Sequence, residues 1–183
     1  MGWDSGTVTI EEVQEEPIPN YLCFTSMADN NTIGFTASET VADLISLQYS
    51  TDGKAWSEWD YANGGLTINN GDKVYLKGTN NVFATAGGSY SSFSFSGTTE
   101  ASGNIMSLLY GDDFEGQTDL TGRNYVFYSM FGDCTSLTTA PELPATTLAN
   151  HCYRFMFRGC TSLTTAPELP ATTLVSNCYG TMF

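Results

Sequence analysis

Few residues in this chain have the types and spacings that chemistry demands. One histidine, His151, and five cysteines, Cys23, Cys134, Cys152, Cys160 and Cys178, are the candidate bases and nucleophiles. A catalytic thiol or hydroxyl needs a poised base, most often histidine. His151 stands where the sequence 26 residues later has Asn177, an interchange expected of an exposed, replaceable position. The last four cysteines are spaced 18, 8 and 18 apart, unlike the paired CxxC spacing of a zinc site. An odd number of cysteines excludes a fully paired disulfide framework within one chain. They are expected to be small buried hydrophobes. Carboxylates are plentiful, so composition allows a glycosidase-type acid pair, yet no spacing singles one out. Asp113-Phe-Glu115-Gly-Gln117-Thr-Asp119 sets oxygen ligands at alternate positions, as calcium loops do. It lacks the glycine at position 6 and the glutamate at position 12, and is expected to be an inter-repeat loop. Asn30-Asn31-Thr32 matches a glycosylation acceptor, and Gly87-Gly88 lacks the Lys-Ser/Thr of a phosphate loop and reads as a turn. The expectation is no catalytic residue, no metal and no cofactor.

The elements that must position any binding residues come from a repeat. Cys134–Leu148 (CTSLTTAPELPATTL) recurs unchanged at Cys160–Leu174, a 15-residue identity at a spacing of 26. The register holds outside it: Met130-Phe131, Met156-Phe157 and Met182-Phe183 are 26 apart, as are Cys152 and Cys178. A period of 26 lies in the range of leucine-rich repeats. The Thr-rich stretch before Pro141 or Pro167 suits a short strand, and Leu-Pro-Ala-Thr-Thr-Leu is extended because the residue before proline avoids helix. Asn150–Arg158 is free of Gly and Pro, and Cys152, Phe155 and Met156 at i, i+3, i+4 predict a short helix ended by Gly159. Stacked units would then set Thr138/Thr164, Thr139/Thr165 and Glu142/Glu168 in polar rows at roughly 4.8 Å. These six residues are the candidate binding face, although threonines also simply suit a solvent-facing strand.

The pattern CTSLTTAPELPATTLA…CY..MF.GC resembles the BspA-type (Treponema pallidum class) leucine-rich repeats of bacterial surface proteins, and proteins of gut Bacteroidales and their phages. The resemblance covers about 80 residues, from near Ala101 to the end. It implies a solenoid, with a divergent first unit having Gly103–Leu109 as strand and Tyr125–Phe131 as helix. The sequence stops mid-unit at Met182-Phe183, so a longer parent chain or a capping partner subunit is expected, and a homo-oligomer is compatible with this.

Before the repeat, residues 20–100 read as all-β. Tyr21–Thr25, Leu66–Ile68, Lys73–Lys77 and Phe93–Phe95 are strand candidates. Asp52-Gly53 and Asn70-Gly71 are hairpin signals, and the spacing suggests an antiparallel β-sandwich. This segment resembles the domain that precedes such Bacteroidales repeats. Residues 1–19 form an acidic arm ending at Pro17 and Pro19, expected to be either a flexible tail or a segment that orders on a partner. The fold class is therefore mainly β: an acidic arm (1–19), a β-sandwich (20–100) and a leucine-rich-repeat solenoid of strand plus short helix per 26 residues (101–183). The joint near 98–103 is expected to share a continuous sheet.

Net charge is −14. Residues 1–123 hold 17 acids against four bases, and residues 124–183 three against two. So acidic a chain, without a basic stripe, repels phosphate backbones, so nucleic-acid partners are not expected. No run approaches a membrane span, and the start lacks the basic and apolar regions of a signal peptide. The functional expectation is a non-catalytic extracellular recognition protein, its partner a protein or glycan on a cell surface. Its setting is the virion surface, as a phage fibre or capsid-decoration component contacting other virion proteins through residues 1–20. The alternatives are a bacterial cell-surface or secreted adhesin, with Met1-Gly2 replacing an export signal, and a carbohydrate-active enzyme.

Overall fold

The computed structural model describes residues 16–183. Most of the acidic arm, residues 1–15, lies outside the described residues. Strands form where apolar side chains alternate with polar ones. Strand β1 (Leu22–Ser26) and β2 (Asn31–Thr36) come first, β2 burying Asn31, Ile33 and Phe35 and turning Thr32 and Gly34 outward. Strands β3 (Gln48–Ser50) and β4 (Ser57–Glu58) pair antiparallel across Asp52-Gly53, where a hairpin was expected. Strands β5 (Leu66–Ile68) and β6 (Lys73–Lys77) flank Asn70-Gly71 but do not pair with each other. β5 pairs with β2, and β6 lies between β1 and β3. The Asn-Gly turn therefore carries the chain from one sheet to the other instead of closing a hairpin. The remaining strands are β7 (Ala84–Ala86), β8 (Ser89–Tyr90), β9 (Ser92–Phe95), β10 (Thr99–Ser102) and β11 (Leu137–Thr139).

A six-stranded sheet has the order β11-β10-β1-β6-β3-β4, and a three-stranded sheet the order β5-β2-β9. They meet through aromatic rings. Phe24 of β1 contacts Phe93 and Phe95 of β9, each at 5.0 Å between centroids and edge to face, the geometry that ring quadrupoles favour. Buried Asn31 ties the sheets: its Nδ2 donates to Ser26 Oγ (3.1 Å) and Thr99 Oγ1 (2.8 Å), and its Oδ1 accepts from Gly97 N–H (2.8 Å). Every pairing among β1 to β10 is antiparallel, and the purely antiparallel sandwich is corrected only where β11, from the repeat region, adds parallel to β10 and makes the large sheet mixed. That pairing carries the sheet across the joint into the repeats. Gly103, at φ +72, follows β10; a side chain there would strike the carbonyl oxygen of Tyr21.

The leucine-rich-repeat solenoid of strand plus short helix, expected over 101–183, is overturned. The one α-helix among the described residues is α1 (Ser107–Tyr110), which overlaps the end of the segment expected to be a strand. The two segments expected to be helices, Tyr125–Phe131 and Asn150–Arg158, are runs of turns. Their N–H groups alternate between two kinds of partner. Val126, Tyr128, Met130, Gly132 and Cys134 donate to the carbonyl three residues back, at 2.9–3.3 Å. Tyr125, Phe127, Ser129, Phe131 and Asp133 donate instead to Asn150, Cys152, Arg154, Met156 and Arg158, at 2.7–3.0 Å. His151, Tyr153, Phe155 and Phe157 repeat this toward Ser176, Cys178, Gly180 and Met182. An α-helix needs every N–H bonded four residues back within its own chain segment. Here half of them bond to the next unit.

Every fourth residue, at 125, 129 and 133, then 151, 155 and 159, then 177 and 181, has φ between 49° and 77°. Such left-handed residues break a right-handed helix. Buried side chains accordingly come in pairs four apart: Val126-Phe127, Met130-Phe131, Cys152-Tyr153, Met156-Phe157. The rings stack on their equivalents one unit away. Phe83, Phe127, Tyr153 and Tyr179 form one column at 5.7–6.2 Å. Phe93, Phe131, Phe157 and Phe183 form another at 5.5–5.8 Å. Both columns begin on residues before the repeats, so one core runs from Tyr21 to Met182. No helix among the described residues is long and apolar enough to cross a membrane.

Candidate functional site: a proline and glutamate groove

The six residues of the expected binding face part company in the structure. Leu137, Thr138 and Thr139 form β11 because β10 offers a parallel edge. The Thr138 hydroxyl donates to Thr99 O (3.1 Å) and that of Thr139 to Ala101 O (2.7 Å). Both hydroxyls are thus spent holding the strand in place. Thr164 and Thr165, identical in sequence context, are exposed and lie in no strand. The threonine rows therefore do not form as a polar face.

The glutamates do come together. Pro141, Glu142, Leu143 and Pro144 lie against Pro167, Glu168 and Pro170, and an open groove of about 380 Å³ runs between them. Proline fixes φ and withholds an N–H, so both Pro-Glu-Leu-Pro segments stay extended. Glu142 is anchored by its own backbone: its N–H donates to Gly103 O at 2.8 Å, and its carbonyl accepts from Ile105 N–H at 3.2 Å. Its Oε2 accepts from Asn20 Nδ2 at 3.0 Å. Glu168 is exposed and has no hydrogen-bond or ion-pair partner among the described residues. The groove offers apolar proline walls with two carboxylates at the rim, an arrangement that takes an extended partner bearing cationic or N–H groups.

The other candidates resolve as follows. All five cysteines are free and buried. Burial pushes the Cys134 and Cys152 thiols up to about 12 and that of Cys160 to about 11, the opposite of an activated nucleophile. Cys134 Sγ donates to Phe93 O (3.1 Å) and Cys160 Sγ to Phe131 O (3.0 Å), repeating one contact a unit apart. His151 is half-buried, its ring stacked on Tyr125 at 4.5 Å and 9°. In the loop 113–119, Asp119 Oδ1 accepts from Thr121 N–H at 2.7 Å, and hydrogen bonds from Thr121 lower its pKa. No group of three or more metal-ligating side chains gathers among the described residues.

Sequence reasoning missed a cluster assembled from positions 21, 56, 77 and 112, in which Tyr21 and Lys77 are buried and Asp112 is exposed. Lys77, 8% exposed, donates to both Asp112 oxygens at 2.7 and 2.9 Å and sits 4.2 Å above the Trp56 ring. Tyr21 OH donates to the same Asp112 Oδ1 at 2.6 Å. Hydrogen bonds from Lys77 and Tyr21 hold the Asp112 carboxyl low, while burial and Asp112 raise Tyr21. The cluster clamps β1 and β6 to residues 110–113; no local spacing announces it. No family model, no curated protein and no solved structure matches this chain.

Proposed function

We propose that this chain is a non-catalytic recognition protein acting outside the cell, carried on a phage virion as a fibre or capsid-decoration component. The observation that carries the reading is the groove: two identical Pro-Glu-Leu-Pro segments lie side by side and turn Glu142 and Glu168 to one open hollow. Repetition of a short extended segment is how stacked-repeat proteins build long binding faces. The likeness of these segments to BspA-type sequences supports a setting on Bacteroidales or their phages. The same likeness supports the second reading, an adhesin on the bacterial envelope. Thiols raised by burial weigh against a thiol-dependent hydrolase.

Labelled full-length protein is expected to bind intact Bacteroidales cells. The double variant Glu142→Gln/Glu168→Gln is expected to bind roughly tenfold more weakly, the loss of charged hydrogen bonds worth about 1.5–3 kcal/mol. Unchanged binding by the double variant would remove the groove from the reading. Immunogold labelling with an antibody to residues 20–100 separates the settings. Label on phage particles supports the virion, and label on the cell envelope overturns it in favour of the adhesin.

A further inference from the structure

A second hollow lies away from the proline segments, and an arginine stands in its wall. Residues 124–183 contain two cationic side chains, Arg154 and Arg158, and neither forms an ion pair among the described residues. Both guanidiniums converge on one ring: they lie 4.6 and 5.4 Å from the centroid of Phe155. Phe155 is half-buried at one of the left-handed turn positions, φ 58, between the fully buried Tyr153 and Phe157. Arg154 Nε is buried with no hydrogen-bond partner. In a molecule of net charge −14, two arginines without ion-pair partners beside one ring are a local concentration of positive charge.

Beside them is a hollow of about 180 Å³ lined by Tyr90, Tyr128, Phe155, Arg158 and Asp133, with Gly87 and Gly132 leaving room. The rings are mutually tilted, Tyr90 to Tyr128 at 5.7 Å and Tyr128 to Phe155 at 5.4 Å. The volume lies below the roughly 300–1,000 Å³ that encloses a drug-sized ligand, and so suits a single small ring. Tyr90, 40% exposed, also borders a wider hollow lined by Ser38, Thr40, Ser89 and Ser92. The Ser38 and Ser89 hydroxyls there are 2.5 Å apart, and Ser89 also bonds Thr40.

Three features choose the ligand. The guanidinium fork matches a carboxylate and makes strong charge-assisted bonds to it. The Asp133 carboxylate on the same wall repels a second negative charge but accepts from hydroxyls. The neighbouring surface is hydroxyl-rich and aromatic, suited to hydroxyls and C–H faces alike. We propose that this hollow binds an acidic saccharide residue of the hexuronate or sialate class. Arg158 takes its carboxylate, Tyr90 and Phe155 flank its ring, and Asp133 accepts from its hydroxyls. The remainder of a glycan chain lies toward Ser38, Thr40 and Ser89.

The test is titration of the full chain, by calorimetry or ligand-observed NMR, with glucuronate, N-acetylneuraminate, glucose, inorganic phosphate and a glutamate-containing tripeptide. At least one of the two acidic sugars is expected to bind about tenfold or more tightly than glucose. Arg158→Gln, checked for an unchanged thermal midpoint, is expected to abolish that preference, tenfold corresponding to about 1.4 kcal/mol. Glu142→Gln/Glu168→Gln is expected to leave it intact, which keeps this site distinct from the groove. Acidic sugars binding no better than glucose, or not at all, would overturn the proposal. So would insensitivity to the Arg158 variant. Phosphate or the tripeptide binding as tightly as the acidic sugar would assign the hollow to anions or acidic peptides instead.

Discussion

In the sheets, β1 buries Leu22, Phe24 and Ser26 against unrelated partners, and each strand finds its neighbour by a register of its own. In residues 125–183 one arrangement is copied. Phe127 lies on Tyr153 and Tyr153 on Tyr179, while every second N–H reaches the equivalent carbonyl of the next unit. Both regions satisfy their backbone polar groups, as buried chains must. The sheet region spreads its specificity over many different side-chain pairs. The turn region concentrates it in a few positions used repeatedly, so an error at one of them is felt in two contacts at once.

The sharpest way to break this comparison is Phe131→Ala. Phe131 is fully buried between Phe93, on the sheet side, and Phe157, on the repeat side. The expected loss is about 3–5 kcal/mol, as for other buried phenylalanines truncated to alanine, read from urea unfolding. A loss below about 1 kcal/mol would show that the sheets do not depend on the stacked columns.

A smaller effect distinguishes the regions by pH. Cys134, Cys152 and Cys160 all sit in the turn region, and burial raises their thiols to about 12, 12 and 11 from an ordinary 9.0. Above pH 9 the unfolded chain releases these protons while the folded chain keeps them. Stability is therefore complete below pH 9 and falls as the pH rises toward the folded-state values. Urea midpoints at pH 8, 9 and 10 check this. A flat profile would mean that the thiols meet water.

The smallest effect has the opposite sign. Tyr153 is wholly buried and its hydroxyl has no hydrogen-bond partner. The equivalent position one unit earlier is Phe127, which stacks in the same column. Tyr153→Phe removes the unpaired hydroxyl and is expected to stabilise the protein by about 1 kcal/mol, measured as a higher thermal midpoint. Destabilisation would reveal a partner for that hydroxyl.

How much of this was legible depends on which residues are read. The 26-residue spacing was visible, and it is the offset at which rings and backbone bonds repeat. The local structure was misread because Cys152, Phe155 and Met156 fit a helical face as well as they fit four-residue turns. Buried pairs recurring every four residues, Met130-Phe131 after Val126-Phe127, are the signal that separates the two, because a helix face drifts with its 3.6 period. Seven non-glycine residues of this region, Tyr125, Ser129, Asp133, His151, Phe155, Asn177 and Thr181, adopt φ of 49–62°, a cost that neighbours along the ladder impose and no propensity reveals. Glu142 and Glu168 were legible as a pair because the repeat carried them. The Lys77–Asp112–Tyr21 clamp and the Arg158–Asp133–Tyr90 hollow were not, because both are assembled from segments far apart in sequence.

Identity between the two Cys-to-Leu segments also has a kinetic consequence. The β10 edge recognises Leu137–Thr139 through groups that Leu163–Thr165 duplicates. Closing the longer loop to the wrong copy costs only about 0.5 kcal/mol more chain entropy. The choice of copy therefore falls to what differs outside the duplicate, such as Phe127, which stacks on Phe83 and stands where the second unit has Tyr153, and Gly132, which stands where the second unit has Arg158. Such differing positions act as the address label that directs an otherwise ambiguous segment to its slot, and a chain that collapsed on the second copy first would have to unbind before it could reach the native topology.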